Sequence, residues 1–250
     1  MLTAISIFAI HLTSTLAAPQ SASWTIEGEQ RSGIVYTGTQ KPGPTVFVFH
    51  GHGGTARNSA RSMAFHTAWP EATIVYLQGL PTSTSRDPKG ERPGWQNNSG
   101  LYKDRDLKLV DHVLSELVKN GTTDPKKVFA SGHSNGARFT YLLWATRNEK
   151  FAGFAPCAAH GAGLQSKLKP ANIFMIAGEK DAIVPYETQK SGIDFVRTMM
   201  EVSKPIKTNE FLFEKGKDGK SVGVYVHDGG HNYPKQAVPQ IVKFFQSCAP

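Results

Sequence analysis

The chain has 250 residues, 39% of them apolar and 19% charged, with 28 Lys and Arg against 20 Asp and Glu for a net charge of +8. That size and balance fit one large globular domain with a sizeable core, or at most two small ones. The basic residues are scattered with no run of five, so the charge reads as a cationic surface favouring acidic polymers, and nucleic acid is not an expected partner.

Residues 1–17 carry no Asp, Glu, Lys or Arg and end in Thr15-Leu16-Ala17. The stretch is short for a membrane span and places small residues where a signal peptidase cuts. The expectation is a signal peptide over 1–17 and a catalytic domain over 18–250, giving a secreted or periplasmic protein without stable membrane insertion. An uncleaved anchor and a frayed N-terminal strand are the competing accounts.

Residues 23–27 and 33–37 pattern as a leading hairpin. Thr45-Val46-Phe47-Val48-Phe49 is an unbroken apolar run between Pro44 and Gly51, as in a strand buried on both faces. Residues 58–69 have helical spacing, and 73–77 form a second buried strand. Residues 79–101 lack regular structure; following a strand, they should emerge at the carboxyl edge of the sheet, where ligands bind in open α/β folds. Leu107, Val110, Val113, Leu114 and Leu117 recur at helical intervals, with Asp104 and Asp106 as cap candidates and Gly121 as the stop.

Next comes Gly132-His133-Ser134-Asn135-Gly136, a G-x-S-x-G sequence between a strand at 127–131 and a helix from 137. A serine on such a sharp turn is lifted clear of the sheet, with helix N–H groups free to meet an oxyanion. Strands follow at 151–155 and 172–176, then a helix over 186–200. A strand pair at 211–213 and 222–226 spans the Asp218-Gly219 turn, and a helix over 236–245 closes the chain. Alternating strands and helices predict an α/β domain with a mostly parallel sheet covered on both faces and no large lid. In that fold Cys157 and Cys248 fall toward opposite ends of the sheet, too far apart to bridge, so two free thiols are expected.

A serine hydroxyl needs a base, and the base needs a third group to orient it. The chain order Ser, acid, His selects His231, in the glycine-rich loop Asp228-Gly229-Gly230-His231, over His227, which continues a strand, and His160, which precedes the good acids. Asp181, just after the strand at 172–176, is the preferred acid; Glu179 and Asp228 compete. The glycine-rich stretch His50-Gly51-His52-Gly53-Gly54 offers the backbone N–H of His52 as one oxyanion donor, with that of Asn135 as the other. His50 and His52 also invite a metal reading, but no further ligand stands at suitable spacing, and neither metal nor cofactor is expected. Trp95 on the long segment either flanks the substrate or packs to anchor that segment.

With these stations in hand, the chain resembles the secreted α/β-hydrolases comprising polyhydroxybutyrate depolymerases, feruloyl esterases and acetylxylan esterases. The likeness rests on His50-Gly51, Gly94-Trp95, Asp106, the Ser134 pentapeptide, Asp181 with Val184-Pro185-Tyr186, and Gly230-His231-Asn232-Tyr233-Pro234. It spans residues 26–245. The chain departs from the group at His52, where a small residue or Cys is common, at Tyr233, where Trp is common, and at His133, where an apolar residue is common. The resemblance implies a serine carboxylic ester hydrolase using Ser134, His231 and Asp181 through an acyl-enzyme, on feruloyl or acetyl esters of plant cell-wall type. A polyester depolymerase or oligomer hydrolase is the first alternative, an acyltransferase the second, and a binding protein on a hydrolase scaffold the third. Activity should fall in acid as the base protonates, an ordinary imidazole titrating near pH ~6.5. Asn97-Asn98-Ser99 and Asn120-Gly121-Thr122 fit glycosylation sequons.

Overall fold

The computed structural model describes residues 18–248, so the expected signal peptide at 1–17 lies outside the described residues. The chain opens with β1 (Gln20–Ile26) and β2 (Glu29–Tyr36), paired antiparallel with Ile26 opposite Glu29. Glu27 and Gly28 both take positive φ, 49° and 85°, the conformation a two-residue turn demands if it is to match the twist of its strands. The next strand, β3 (Gly43–Phe49), is buried along its whole length, as its unbroken apolar run implies.

The helix expected over 58–69 forms as two pieces, α1 (Ala56–Met63) and α2 (Phe65–Ala68), parted by Ala64 at φ 42°. The left-handed residue ends α1, and the change of direction lets Phe65 and Trp69 both bury. Strand β4 (Thr73–Leu77) follows, and the long segment then pairs with itself through β5 (Leu80–Pro81) and β6 (Pro93–Gly94).

Helix α3 (Arg105–Lys119) corrects the cap expectation. Asp104 stands before it at φ 59° without capping it; its carboxylate instead accepts from Gln96 Nε2 and the Gly100 N–H, both at 2.8 Å. Asp106 lies within the first turn, fully buried, paired with Arg31 at 2.7 Å. Arg31 also donates to the Arg105 carbonyl, while Asp106 exchanges hydrogen bonds with the main chain and side chain of Gln96. This buried pair therefore fastens the hairpin, the long segment and α3 together.

The remaining elements are β7 (Thr123–His133), α4 (Asn135–Arg147), β8 (Gly153–Cys157), β9 (Ile173–Gly178), α5 (Tyr186–Met199), β10 (Phe211–Lys215), β11 (Ser221–His227) and α6 (Ala237–Cys248). The nine-stranded sheet has the order β1-β2-β4-β3-β7-β8-β9-β11-β10. Strands β4, β3, β7, β8, β9 and β11 run parallel; β1, β2 and β10 supply the antiparallel edges. One core cluster gathers α3, α4 and α5 against one face, and a second gathers α1, α2 and α6 against the other. Chain order reverses between β3 and β7, which opens a crevice at their carboxyl ends, and His50–Gly54 and Ser134 leave the sheet there. Cys157 and Cys248 are free thiols. No helix among the described residues is long and apolar enough to cross a membrane.

Candidate active site

Ser134 occupies the turn from β7 into α4 at φ 54°, ψ −117°, a conformation that costs a side chain on the order of 1–3 kcal/mol and persists only where the surroundings enforce it. They do. Its N–H donates to the Cys157 carbonyl at 2.9 Å and its carbonyl accepts from Arg138 at 3.0 Å. The flanking glycines are required by space: a Cβ on Gly132 would lie 2.3 Å from the Gly136 carbonyl oxygen, and one on Gly136 2.3 Å from that of Phe49. The G-x-S-x-G spacing is thus what lets strand, turn and helix approach this closely.

Asp181 follows β9 and is 6% exposed. One carboxylate oxygen accepts from the Ile183 and Val184 N–H groups at 2.8 and 2.9 Å; the other accepts from Gln189 Nε2 at 2.9 Å and from His231 Nδ1 at 2.7 Å. Burial pushes this carboxyl up, but the His231 hydrogen bond and the two amides outweigh it and hold the group below 3.8. Asp181 stays ionised, and its contact directs the Nδ1–H of His231 toward it, leaving Nε2 for other work. The competing acids are elsewhere: Glu179 accepts from Thr208 at 2.7 Å, and Asp228 is exposed. His227 is buried and accepts from the Gly229 N–H, and His160 accepts from the Ala162 N–H.

Ser134 and His231 share one cleft of about 380 Å³ with Gly51, His52, Gly53 and His133. Among the described residues Ser134 makes no hydrogen bond to His231, although both line this cleft. Beside them the backbone supplies donors. The N–H groups of Gly53 and Gly54 are taken up by the carbonyls of Pro93 and Gly51 at 2.7 and 2.9 Å. Among the described residues those of His52 and Asn135 donate to no backbone carbonyl.

His50 is committed to holding the loop: Nδ1 donates to the Gly51 carbonyl at 2.7 Å and Nε2 accepts from the Gly79 N–H at 2.9 Å. Burial and the nearby His52 pull it down to about 4, against a weaker upward pull from the Gly51 bond. His133 packs its ring 4.8 Å from that of His231, and burial, then the charge of His231, pulls it down to about 4 as well.

Of the two roles open to Trp95, flanking the substrate or packing to anchor the long segment, the structure shows the packing one. Trp95 is 1% exposed, set among Phe49, Phe139 and His50, with its indole N–H donating to the His50 carbonyl at 2.9 Å. Asn135 clasps its backbone from both sides, accepting from the Trp95 N–H at 2.7 Å and donating to its carbonyl at 3.0 Å. The long segment is folded back as a support. Two further residues of the site were missed from the sequence. Gln189 lies on the buried face of α5 with Ile193 and Val196, and a polar residue on that apolar stripe was its signal. Asp87, which pairs with His52 Nε2 at 3.0 Å, sits in a charged loop with nothing to mark it.

No protein-family model matches the chain. It is 28% identical over 151 residues to a protein of Nocardia uniformis subsp. tsuyamanensis named "Putative esterase NocK", covering 58% of this chain and 42% of that one. It is 31% identical over 84 residues to the bifunctional acetylxylan esterase/xylanase XynS20E of Neocallimastix patriciarum, covering 33% of this chain and 12% of that one. The chain thus spans less than half the length of either relative. Among solved structures, the acetyl xylan esterase from Aspergillus awamori superposes with a TM-score of 0.69 at 15% identity, over 91% of this chain and 99% of that one. By its sheet order and these likenesses, the chain takes its place among the proteins of α/β-hydrolase fold.

Proposed function

We propose that the chain is an exported serine carboxylic ester hydrolase acting on short-acyl, acetyl-type esters of carbohydrate. In this reading Ser134 Oγ attacks the ester carbonyl while His231 Nε2 takes its proton, and the oxyanion meets the N–H groups of His52 and Asn135. Collapse of the tetrahedral adduct breaks the bond to the alcohol, which leaves with the proton from His231. Water then repeats the relay, releasing the carboxylic acid and restoring Ser134. Asp181 stays ionised throughout, orienting the imidazole and stabilising the imidazolium.

The observation that carries the reading is the 2.7 Å contact between the buried Asp181 and a His231 that shares its cleft with a strained Ser134. The short-acyl preference rests on the cleft lining, where glycine backbone and the small polar residues Asn58, Ser59 and Ser62 outnumber the larger Met63 and Tyr233, while Trp95 is packed away. The names carried by the Neocallimastix relative and the Aspergillus structure favour acetylated xylan as the first substrate to try. Export rests on the composition of residues 1–17.

The test is Ser134→Ala, which should abolish hydrolysis of p-nitrophenyl acetate while the protein stays folded; retained turnover removes Ser134 from the reaction. Rates on acetylated xylan, methyl ferulate and a hydroxybutyrate oligomer should rank in that order. A preference for methyl ferulate would return the hydroxycinnamate reading, and one for the oligomer the polyester reading.

A further inference from the structure

A cavity of about 720 Å³ lies away from Ser134, between the edge strand β10 and the last turns of α6. Lys215 at its mouth pairs with Ser221, the first residue of β11, and β11 runs parallel to β9 toward the catalytic edge. The cavity therefore opens at the amino edge of the sheet, opposite the cleft. Its floor is aromatic. Phe213 is 42% exposed on the edge strand and stacks on the buried Phe244 with ring centroids 6.3 Å apart.

The rim is cationic. Lys204, Lys215 and Lys243 surround the floor, and Lys215 is held in place by a 2.8 Å bond to the Ser221 hydroxyl. Glu214, the one carboxylate lining the cavity among the described residues, accepts the N–H groups of Ser203 and Lys204 on Oε1 and pairs through its buried Oε2 with Arg197 at 3.5 Å. Gln240, Lys243 and Ser247 recur at helical spacing on α6 and line the cavity from one side, the Ser247 hydroxyl donating to the Phe244 carbonyl at 2.7 Å and keeping its oxygen as an acceptor.

A flat apolar face ringed by ammonium groups and neutral hydrogen-bonding groups suits a ligand that has all three complements in one unit. We propose that this cavity binds a uronic-acid segment of an acidic polysaccharide. The sugar's C–H face packs on Phe213, its carboxylates meet Lys204, Lys215 and Lys243, and its hydroxyls reach Gln240 and Ser247. The net charge of +8 draws such a polymer to the surface, and the aromatic floor distinguishes it from other polyanions. This inference does not depend on the esterase reading, because binding at the amino edge is measured without turnover.

The test is calorimetric titration of the whole chain with a short oligogalacturonate, a neutral xylo-oligosaccharide and dextran sulfate. Oligogalacturonate should bind at least ~tenfold more tightly than the neutral oligomer, and the Lys204→Ala/Lys243→Ala pair should weaken it by ~tenfold or more, the scale of lost charge-assisted contacts. Phe213→Ser should weaken oligogalacturonate severalfold and leave dextran sulfate unchanged, while Phe213→Tyr keeps both. Hydrolysis of p-nitrophenyl acetate should be the same in every variant. Failure of oligogalacturonate to bind the native chain, or equal binding by Phe213→Ser, overturns the proposal; the latter would leave only a general attraction for polyanions.

Discussion

Gln189 and Asp181, eight residues apart, are joined by a 2.9 Å hydrogen bond inside the protein, and the same amide nitrogen also donates to the Val184 carbonyl at 2.6 Å. One side chain on α5 thus fixes both the acid and the turn that carries it. Replacing Gln189 with Leu should leave the fold intact at a cost of about 1–2 kcal/mol. kcat should fall by about tenfold with KM little changed, as expected when the acid is less well placed. Urea unfolding and steady-state kinetics on p-nitrophenyl acetate check both; an unchanged kcat would make Gln189 a packing residue alone.

Asp181→Asn should be far more severe. The asparagine amide no longer compels Nδ1–H to point toward it, so His231 is free to adopt the tautomer that cannot accept from Ser134. A loss in kcat of about 10³–10⁴ is expected with substrate binding largely retained. Because the native carboxyl is held below its ordinary value, loss of activity on mild acidification should not trace to Asp181. A pH–rate profile in deuterium-matched buffers, fitted with one acid limb in the native chain, is the check.

His52 and Asp87 form one of the contacts by which the long segment holds the His50–Gly54 loop, and Asp87 is itself fixed by the N–H groups of Arg92 and Glu91 at 2.9 and 3.2 Å. Asp87→Ala should release His52 and misplace its N–H. The expected result is a fall in kcat of roughly ten- to hundredfold, with thermal midpoint little affected because the pair is near the surface. Equal losses in kcat and stability would mean that the loop as a whole has unfolded.

Acid should also destabilise the protein through histidines outside the reaction. His50 is held down to about 4 by burial, whereas in the unfolded chain it titrates near 6.5. Between those values the unfolded state binds more protons, so stability falls as pH drops from about 6.5 toward 4, by on the order of 3 kcal/mol from this residue. His133 acts in the same direction. Urea midpoints measured at pH 7 and pH 4.5 should differ, and His50→Gln should flatten the slope; equal midpoints in the native protein would refute it.

The sheet was readable because buried parallel strands such as 45–49 and 73–77 are unbroken apolar runs, and the turn at Ser134 was readable because its glycines answer a local steric need. The Asp181–His231 pairing followed from chain order and loop placement, although 50 positions separate the two. What escaped depends on partners distant in sequence. Asp106 looks like a helix cap because the residue that claims it, Arg31, is 75 positions earlier. Trp95 stays open between substrate contact and packing anchor in the sequence because nothing local reveals that Asn135, 40 positions later, folds its backbone inward. Boundaries shifted for related reasons, as at Ala64, where tertiary burial of Phe65 and Trp69 overrides an uninterrupted helical pattern.

The Arg31–Asp106 pair makes the N-terminal hairpin an outlying support of the cleft that holds Ser134. Deleting either charge strands its counterpart in a dry interior, a defect of about 3–5 kcal/mol, and unsettles Asp106, which holds Gln96 and with it the segment that carries Trp95 and Asp87. A lesion on the second strand would therefore be felt in the cleft of Ser134, although the altered residue does not line it.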